Sequence, residues 1–104
     1  MTYKIGQIVP SSNVTMEREV PAILAARMAV SPERFSCHAS RVRMHRVVPE
    51  ELVRMNADLG RCARELADAR VDVMSTACLV ATMAMGPGHH RRTEAELAEA
   101  VADE

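Results

Sequence analysis

In PEELVRMNADLGRCARELADARVDVM, residues 49–74, the hydrophobic period changes part-way along. Leu52, Met55, Leu59, Cys62, Leu66 and Ala69 are spaced by three and four, the interval that puts side chains on one face of an α-helix. Pro49 suits the first helical position, where its missing N–H costs nothing, and Glu50 and Glu51 suit the positive end of the dipole. From Arg70 the pattern gives way to Val71-Asp72-Val73-Met74, a short run that reads as a strand. A long helix therefore feeds a strand.

The same alternation extends outward in both directions. Upstream, residues 34–43 read as a second strand, and residues 4–9 as a first strand closed by Pro10. Between them Met16, Val20, Ile23, Leu24 and Met28 mark one side of a helix, with Glu17 and Glu19 in its first turn and Pro21 as a local cost. Downstream, Gly86-Pro87-Gly88 interrupts the chain, and Thr93 with Glu96 has the spacing of a capping box for a last helix carrying Leu97 and Val101. The order β-α-β-α-β-α predicts a short parallel sheet in a three-layer α/β unit with right-handed crossovers; strand order 2-1-3 is expected for it. Ligands of such sheets bind beyond the carboxyl ends of the strands. That rule selects residues 10–15, after the first strand, and 76–80, after the third.

Composition narrows the function classes. The 104 residues make one small domain whose 48% hydrophobic content includes one Tyr, one Phe and eight Met. Its core must be aliphatic and sulfur-rich. With 13 basic and 14 acidic residues the net charge is −1, so no field draws the chain to nucleic acid. A local group of Arg41, Arg43, His45 and Arg46 suits an anionic ligand or, as charge runs usually do, faces water. No apolar run approaches membrane-spanning length, and no secretory leader is evident. Cys37, Cys62 and Cys78 have no CxxC spacing and leave one thiol over in any pairing, which fits a reducing, cytoplasmic compartment.

Three groups of residues bear on chemistry. Cys78, in Ser-Thr-Ala-Cys-Leu-Val after the third strand, is either a nucleophile activated by nearby backbone amides or a small buried hydrophobe. Ser11, Ser12 and Asn13 are either an ordinary helix cap or a carboxylate cradle, and the two roles are compatible if divided among them. His89, His90, Arg91 and Arg92 read as a solvated loop before the last helix, since two adjacent histidines diverge and a metal needs further ligands. Cys62 belongs to the helical stripe, and Cys37 to the second strand. The glycines at 6, 60, 86 and 88 make neither GxGxxG nor GxxxxGK, and no GxSxG elbow is present. No metal or organic cofactor is expected.

Longer strings carry a family resemblance. IGQIVPSSNVTMEREVPAIL, RVRMHRVVPEEL and RCARELADARVDVMSTACLVATMAMGPGHH resemble the maleate cis-trans isomerases of the aspartate/glutamate racemase superfamily from Tyr3 to Glu99. The resemblance implies cofactor-independent isomerisation of maleate to fumarate through a cysteine adduct. Cys78 matches the family's nucleophile and Asn13 its carboxylate-binding asparagine. Leu79 and Val80 match positions whose backbone amides hold substrate, and Ser12 stands beside Asn13 in the same cradle. It also implies a longer two-domain enzyme, of which residues 1–104 are the N-terminal portion, with a second catalytic cysteine that neither Cys37 nor Cys62 matches. The remaining readings are a catalytically incomplete fragment that keeps part of a dicarboxylate site, and a racemase or decarboxylase relative. The expected partners are a small dicarboxylate and, through exposed apolar surface, further copies of the chain in a homo-oligomer.

Overall fold

A computed structural model describes residues 1–78, 83 and 85–102. The chain runs β1 (Thr2–Pro10), α1 (Met16–Met28), β2 (Arg34–Val42), α2 (Pro49–Ala57), α3 (Leu59–Asp68), β3 (Val73–Thr76) and α4 (His89–Ala100). The sheet has the order β2-β1-β3 and both pairings are parallel, as the alternation predicts. β1 runs against β2 from Thr2↔Arg34 to Pro10↔Val42, and against β3 from Ile5↔Val73 to Ile8↔Thr76. β1 is buried from Gly6 to Pro10. A central parallel strand covered on both faces has to be this continuous in its burial.

The two faces of the sheet are covered unequally. Ile8, Val42, Met44, Leu52, Met55, Leu59, Cys62, Ala63 and Leu66 form the core on the α2–α3 side. On the other side α1 has no fully buried residue. Its Met16, Val20, Leu24 and Met28 are half-buried, while Ile23 is 68% exposed. The expected α1 stripe is therefore only partly covered by this chain. Contact at its end includes the Phe35 N–H donating to the Met28 sulfur at 3.3 Å, and the Tyr3 and Phe35 rings pair across β1 and β2 at 5.7 Å.

Beyond β1, which spans Thr2–Pro10 rather than residues 4–9, and β2, which ends at Val42 rather than at residue 43, three boundaries differ from the expectation. The helix expected from Pro49 to Ala69 is two, broken at Asp58 (φ −101°, ψ 2°). The Asp58 N–H turns back to the Met55 carbonyl, its carboxylate holds the Arg61 side chain at 2.8 and 3.0 Å, and Gly60 follows. Asp and Gly are poor interior helix residues, so a local side-chain bond suffices to interrupt the helix. The apolar face survives the break except at Ala69, which is exposed.

β3 begins two residues later than expected. Arg70 ends α3 in the left-handed region (φ 55°), and Asp72 is held off the strand by two bonds to Lys4. The Asp72 N–H donates to the Lys4 carbonyl at 2.8 Å and its carboxylate accepts the Lys4 N–H at 2.7 Å. α4 starts at His89, directly after Gly88 (φ 81°), so Thr93 lies inside the helix and is 93% buried rather than opening it. His89, His90, Arg91 and Arg92 form its first turn, not a loop. Nothing in those four side chains opposes helix, and the glycine stop lies before them.

Candidate active site

The carboxyl ends of the strands meet in a narrow crevice lined by Ile8 and Pro10 of β1, Val42 of β2, Met55, Asn56 and Leu59 from the α2–α3 break, and Thr76, Ala77 and Cys78 after β3. Its volume of about 10 Å³ has room for about one water. Cys78 arrives there because the β1–β3 ladder continues one step past β3. The Ala77 N–H donates to the Ile8 carbonyl at 2.9 Å, which brings the next residue alongside Pro10. The Cys78 side chain is half-buried, packed in part against the core and in part lining the crevice.

Pro10 links the crevice to the turn that carries the serines and Asn13. Its carbonyl accepts the Asn13 N–H at 2.9 Å. Asn13 in turn accepts the Met16 N–H at 3.0 Å through Oδ1, so the oxygen end of its amide caps the first turn of α1. Capping by the oxygen leaves the donor end of the amide, its NH₂, as the chemistry available to a carboxylate. Ser11 is committed elsewhere: its Oγ accepts the Met44 N–H at 3.0 Å and donates to the Met44 carbonyl at 3.4 Å. Ser12 is exposed. Of the three residues, Asn13 makes the cap, and Ser11 joins the β1–α1 turn to the segment after β2.

Leu79 and Val80 lie outside the described residues. Of the basic group, Arg41 turns inward to the Ser11 carbonyl, at 2.8 Å, and to Glu17. Arg43 and His45 line an open hollow with Glu51, Arg54 and Asp58 on the outer side of α2. Glu51 accepts the backbone N–H groups of His45 at 2.7 Å and Arg46 at 2.9 Å, and those bonds, first the one from His45, hold its carboxyl below the usual range. Across β2, Glu65 is likewise lowered, by the Ser40 hydroxyl at 2.6 Å and then by Arg61. Cys37 lies on the α1 side of β2 in a hollow with Gln7, Glu17 and Pro21, and burial pushes its thiol up. Reading the sequence missed Met55, Asn56 and Leu59 as crevice residues. The signal available was a polar Asn beside Met55 and Leu59 of the apolar stripe.

No family model matches the chain. It is 61% identical over 101 residues to a maleate isomerase of Pseudomonas putida, covering 97% of this chain and 40% of that protein. A maleate isomerase of Alcaligenes faecalis is 59% identical, with 96% of this chain and 40% of the relative covered. Among solved structures, a variant P. putida maleate isomerase with maleate superposes with a TM-score of 0.96 at 56% identity, over 99% of this chain and 41% of the other. A Nocardia farcinica maleate cis-trans isomerase mutant with a covalently bound succinylcysteine intermediate gives 0.90 at 50% identity, over 99% and 41%. The chain thus spans about two-fifths of the length of the relatives it matches, and over that span it is similar in sequence and fold to the N-terminal part of maleate isomerases.

Proposed function

We propose that the chain forms the nucleophile-bearing wall of a maleate isomerase site and is the N-terminal portion of a two-domain enzyme. The Cys78 thiolate adds to one alkene carbon of maleate. The C–S bond forms as the π pair moves to the neighbouring carbon, where its carboxylate delocalises the charge, and a proton then converts it to a succinyl thioether. The former double bond rotates as a single bond. Loss of the proton and of the sulfur, which leaves as thiolate, gives fumarate and restores the enzyme. No electrons are exchanged with an outside reagent, so the reaction needs no redox partner, and the resemblance implies that it runs without metal or organic cofactor.

Attack of a thiolate on a dianion is opposed by repulsion, which hydrogen-bond donors to the carboxylates relieve. The Asn13 amide, the Ser12 hydroxyl and the backbone N–H groups of Leu79 and Val80 take that role in this reading. Each donor of this kind is worth roughly 2.7–4 kcal/mol in comparable oxyanion sites. The observation that carries the proposal is the position of Cys78 at the carboxyl end of β3, beside Pro10 and one hydrogen bond from the Asn13 turn. The succinylcysteine of the Nocardia relative supports the adduct. The proton-transfer group, a second cysteine by resemblance, is assigned to the part of the relatives that this chain does not span. A small dicarboxylate is the partner, with homo-oligomeric association through apolar surface. Cysteines without disulfides suit a cytoplasmic setting, and no helix among the described residues is long and apolar enough to cross a membrane.

A second reading, a catalytically incomplete chain that keeps part of a dicarboxylate site and captures maleate without turning it over, is favoured by the two-fifths span. One experiment separates the two. The purified chain and its Cys78→Ala variant are incubated with maleate, followed by proton NMR for fumarate and by mass spectrometry for a thioether. Fumarate formed only with Cys78 present supports isomerisation. A maleate adduct on Cys78 without fumarate supports capture. Equal adduct on Cys37 in a folded chain, or none on Cys78, would sink the nucleophile assignment.

A further inference from the structure

The hydrogen bonds of Arg41 converge on the turn that carries Asn13. Arg41 stands at the carboxyl end of β2, paired with Val9. Its Nη1 donates to the Ser11 carbonyl at 2.8 Å and its Nη2 engages Glu17 in the first turn of α1. Ser11 is tied to the same strand by its own N–H, which donates to the Val42 carbonyl at 2.7 Å, and to the following segment through the Met44 N–H. Two residues on, Asn13 is fixed between the Pro10 carbonyl and the Met16 N–H. One guanidinium therefore joins three pieces: the strand it stands on, the turn before Asn13 and the helix after it.

Arg41 is itself held from behind. Its carbonyl accepts Arg61 Nη2 at 3.0 Å, and Arg61 is gripped by Asp58 and Glu65. That chain of bonds runs from the α2–α3 break, one wall of the crevice, across β2 to the Asn13 turn, its other rim. The Arg41–Glu17 pair is about a third exposed on both sides, so it adds little to global stability. Its effect is on geometry. A planar fork reaches a carbonyl and a carboxylate together, which the single point charge of a lysine does less well.

We propose that Arg41 is a positioning residue for Asn13, holding the 11–13 turn so that the amide's donor end stands at the rim of the Cys78 crevice. The proposal rests on Asn13 being a carboxylate donor, and the two can fail separately. In the ¹⁵N-labelled chain carrying Cys78→Ala, amide exchange at Met16 reports the Asn13 cap, exchange at Cys62 and Ala63 reports the core, and the Asn13 side-chain amide shift reports maleate.

Arg41→Gln is expected to speed Met16 exchange about tenfold, the change that loss of a charge-assisted hydrogen bond brings, while the core amides keep their protection. It should also weaken the maleate response of Asn13 by about the same factor. Arg41→Lys should recover part of both, and Glu17→Gln, which leaves the bond to Ser11, should change them less. Unchanged Met16 exchange in Arg41→Gln overturns the proposal, as does an equal rise at Cys62 and Ala63 or loss of the folded spectrum, because Arg41 would then serve the fold alone. An Asn13 amide indifferent to maleate in the parent chain would sink the carboxylate reading, while Met16 exchange would still decide whether Arg41 positions the turn.

Discussion

Cys37, Cys62 and Cys78 share one chain but not one environment. Cys62 has no exposed surface and packs among Leu59, Ala63 and Leu66. Cys37 is half-buried with its thiol pushed up by desolvation, so less of it is thiolate at a given pH than in an ordinary cysteine. An iodoacetamide time course at pH 8, read by mass spectrometry, should therefore show Cys37 reacting more slowly than a free small-molecule thiol. Cys62 should label only at the rate of unfolding. Cys62 modified in the native chain as fast as Cys37 would contradict the packing described. Cys62 was legible as a core residue from its place in a three-and-four spacing. The commitment of Ser11 to Met44, 33 residues away, was not, because a hydroxyl after a strand has many local partners of equal merit.

Two glycines show how element context sets the sign of one substitution. A Cβ on Gly6, in the central strand, would lie 3.0 Å from Val71 Cγ2, 3.2 Å from the Val73 carbonyl and 3.3 Å from Leu66 Cδ1. Backbone cannot retreat as a side chain can, so Gly6→Ala should destabilise by about 1–3 kcal/mol. On Gly60, in α3, the nearest atom is the mobile Arg64 Nη1 at 3.4 Å. Gly60→Ala should stabilise by about 0.5–1 kcal/mol through helix propensity. Urea denaturation checks both, and the same sign for the two would refute the distinction. Two carboxylates, Glu51 on α2 and Glu65 on α3, also set a pH dependence. Glu51 and Glu65 have folded values lowered by hydrogen bonds. Their contribution is present above the unfolded value, about 4.3, and is lost as pH falls through the folded one. The urea midpoint should therefore drop on acidification below about pH 4, and less steeply in Glu51→Gln/Glu65→Gln. An unaltered slope would show that these bonds do not persist in solution.

At the scale of the molecule, what stands out is surface that this chain does not cover. β3 is an edge strand whose Val73 is 52% exposed, and Val71, Met74, Leu97, Ala98 and Val101 continue a hollow beside it. On the opposite layer α1 leaves Ile23 exposed. An open parallel edge with apolar neighbours invites pairing. Sedimentation equilibrium should show concentration-dependent association of the chain, reduced by Val73→Lys, which places a charge on the edge. Monomeric behaviour of the parent chain at high concentration would remove that expectation.

The sequence by itself determined the alternation of strands and helices, the parallel pairing and the rim on which Cys78 and the Asn13 turn meet. The alternation and the parallel pairing follow from a hydrophobic period, which is local, and the rim from the placing of ligands beyond the carboxyl ends of parallel strands; the strand order was an expectation that the structure bears out. It also carried the family, in strings long enough to match its relatives over nearly the whole chain. Only the tertiary structure decided where the helix breaks at Asp58, where β3 begins, and that Arg41 faces inward while Arg43 and His45 line an open hollow. The start of β3 and the course of Arg41 depend on side chains choosing partners far away in sequence, the break on a local bond at Asp58, and in each the alternatives differ by one hydrogen bond or one ion pair, about 1 kcal/mol each. Periodicity has no access to energies that small; the packed fold does, because it has already brought the partners together.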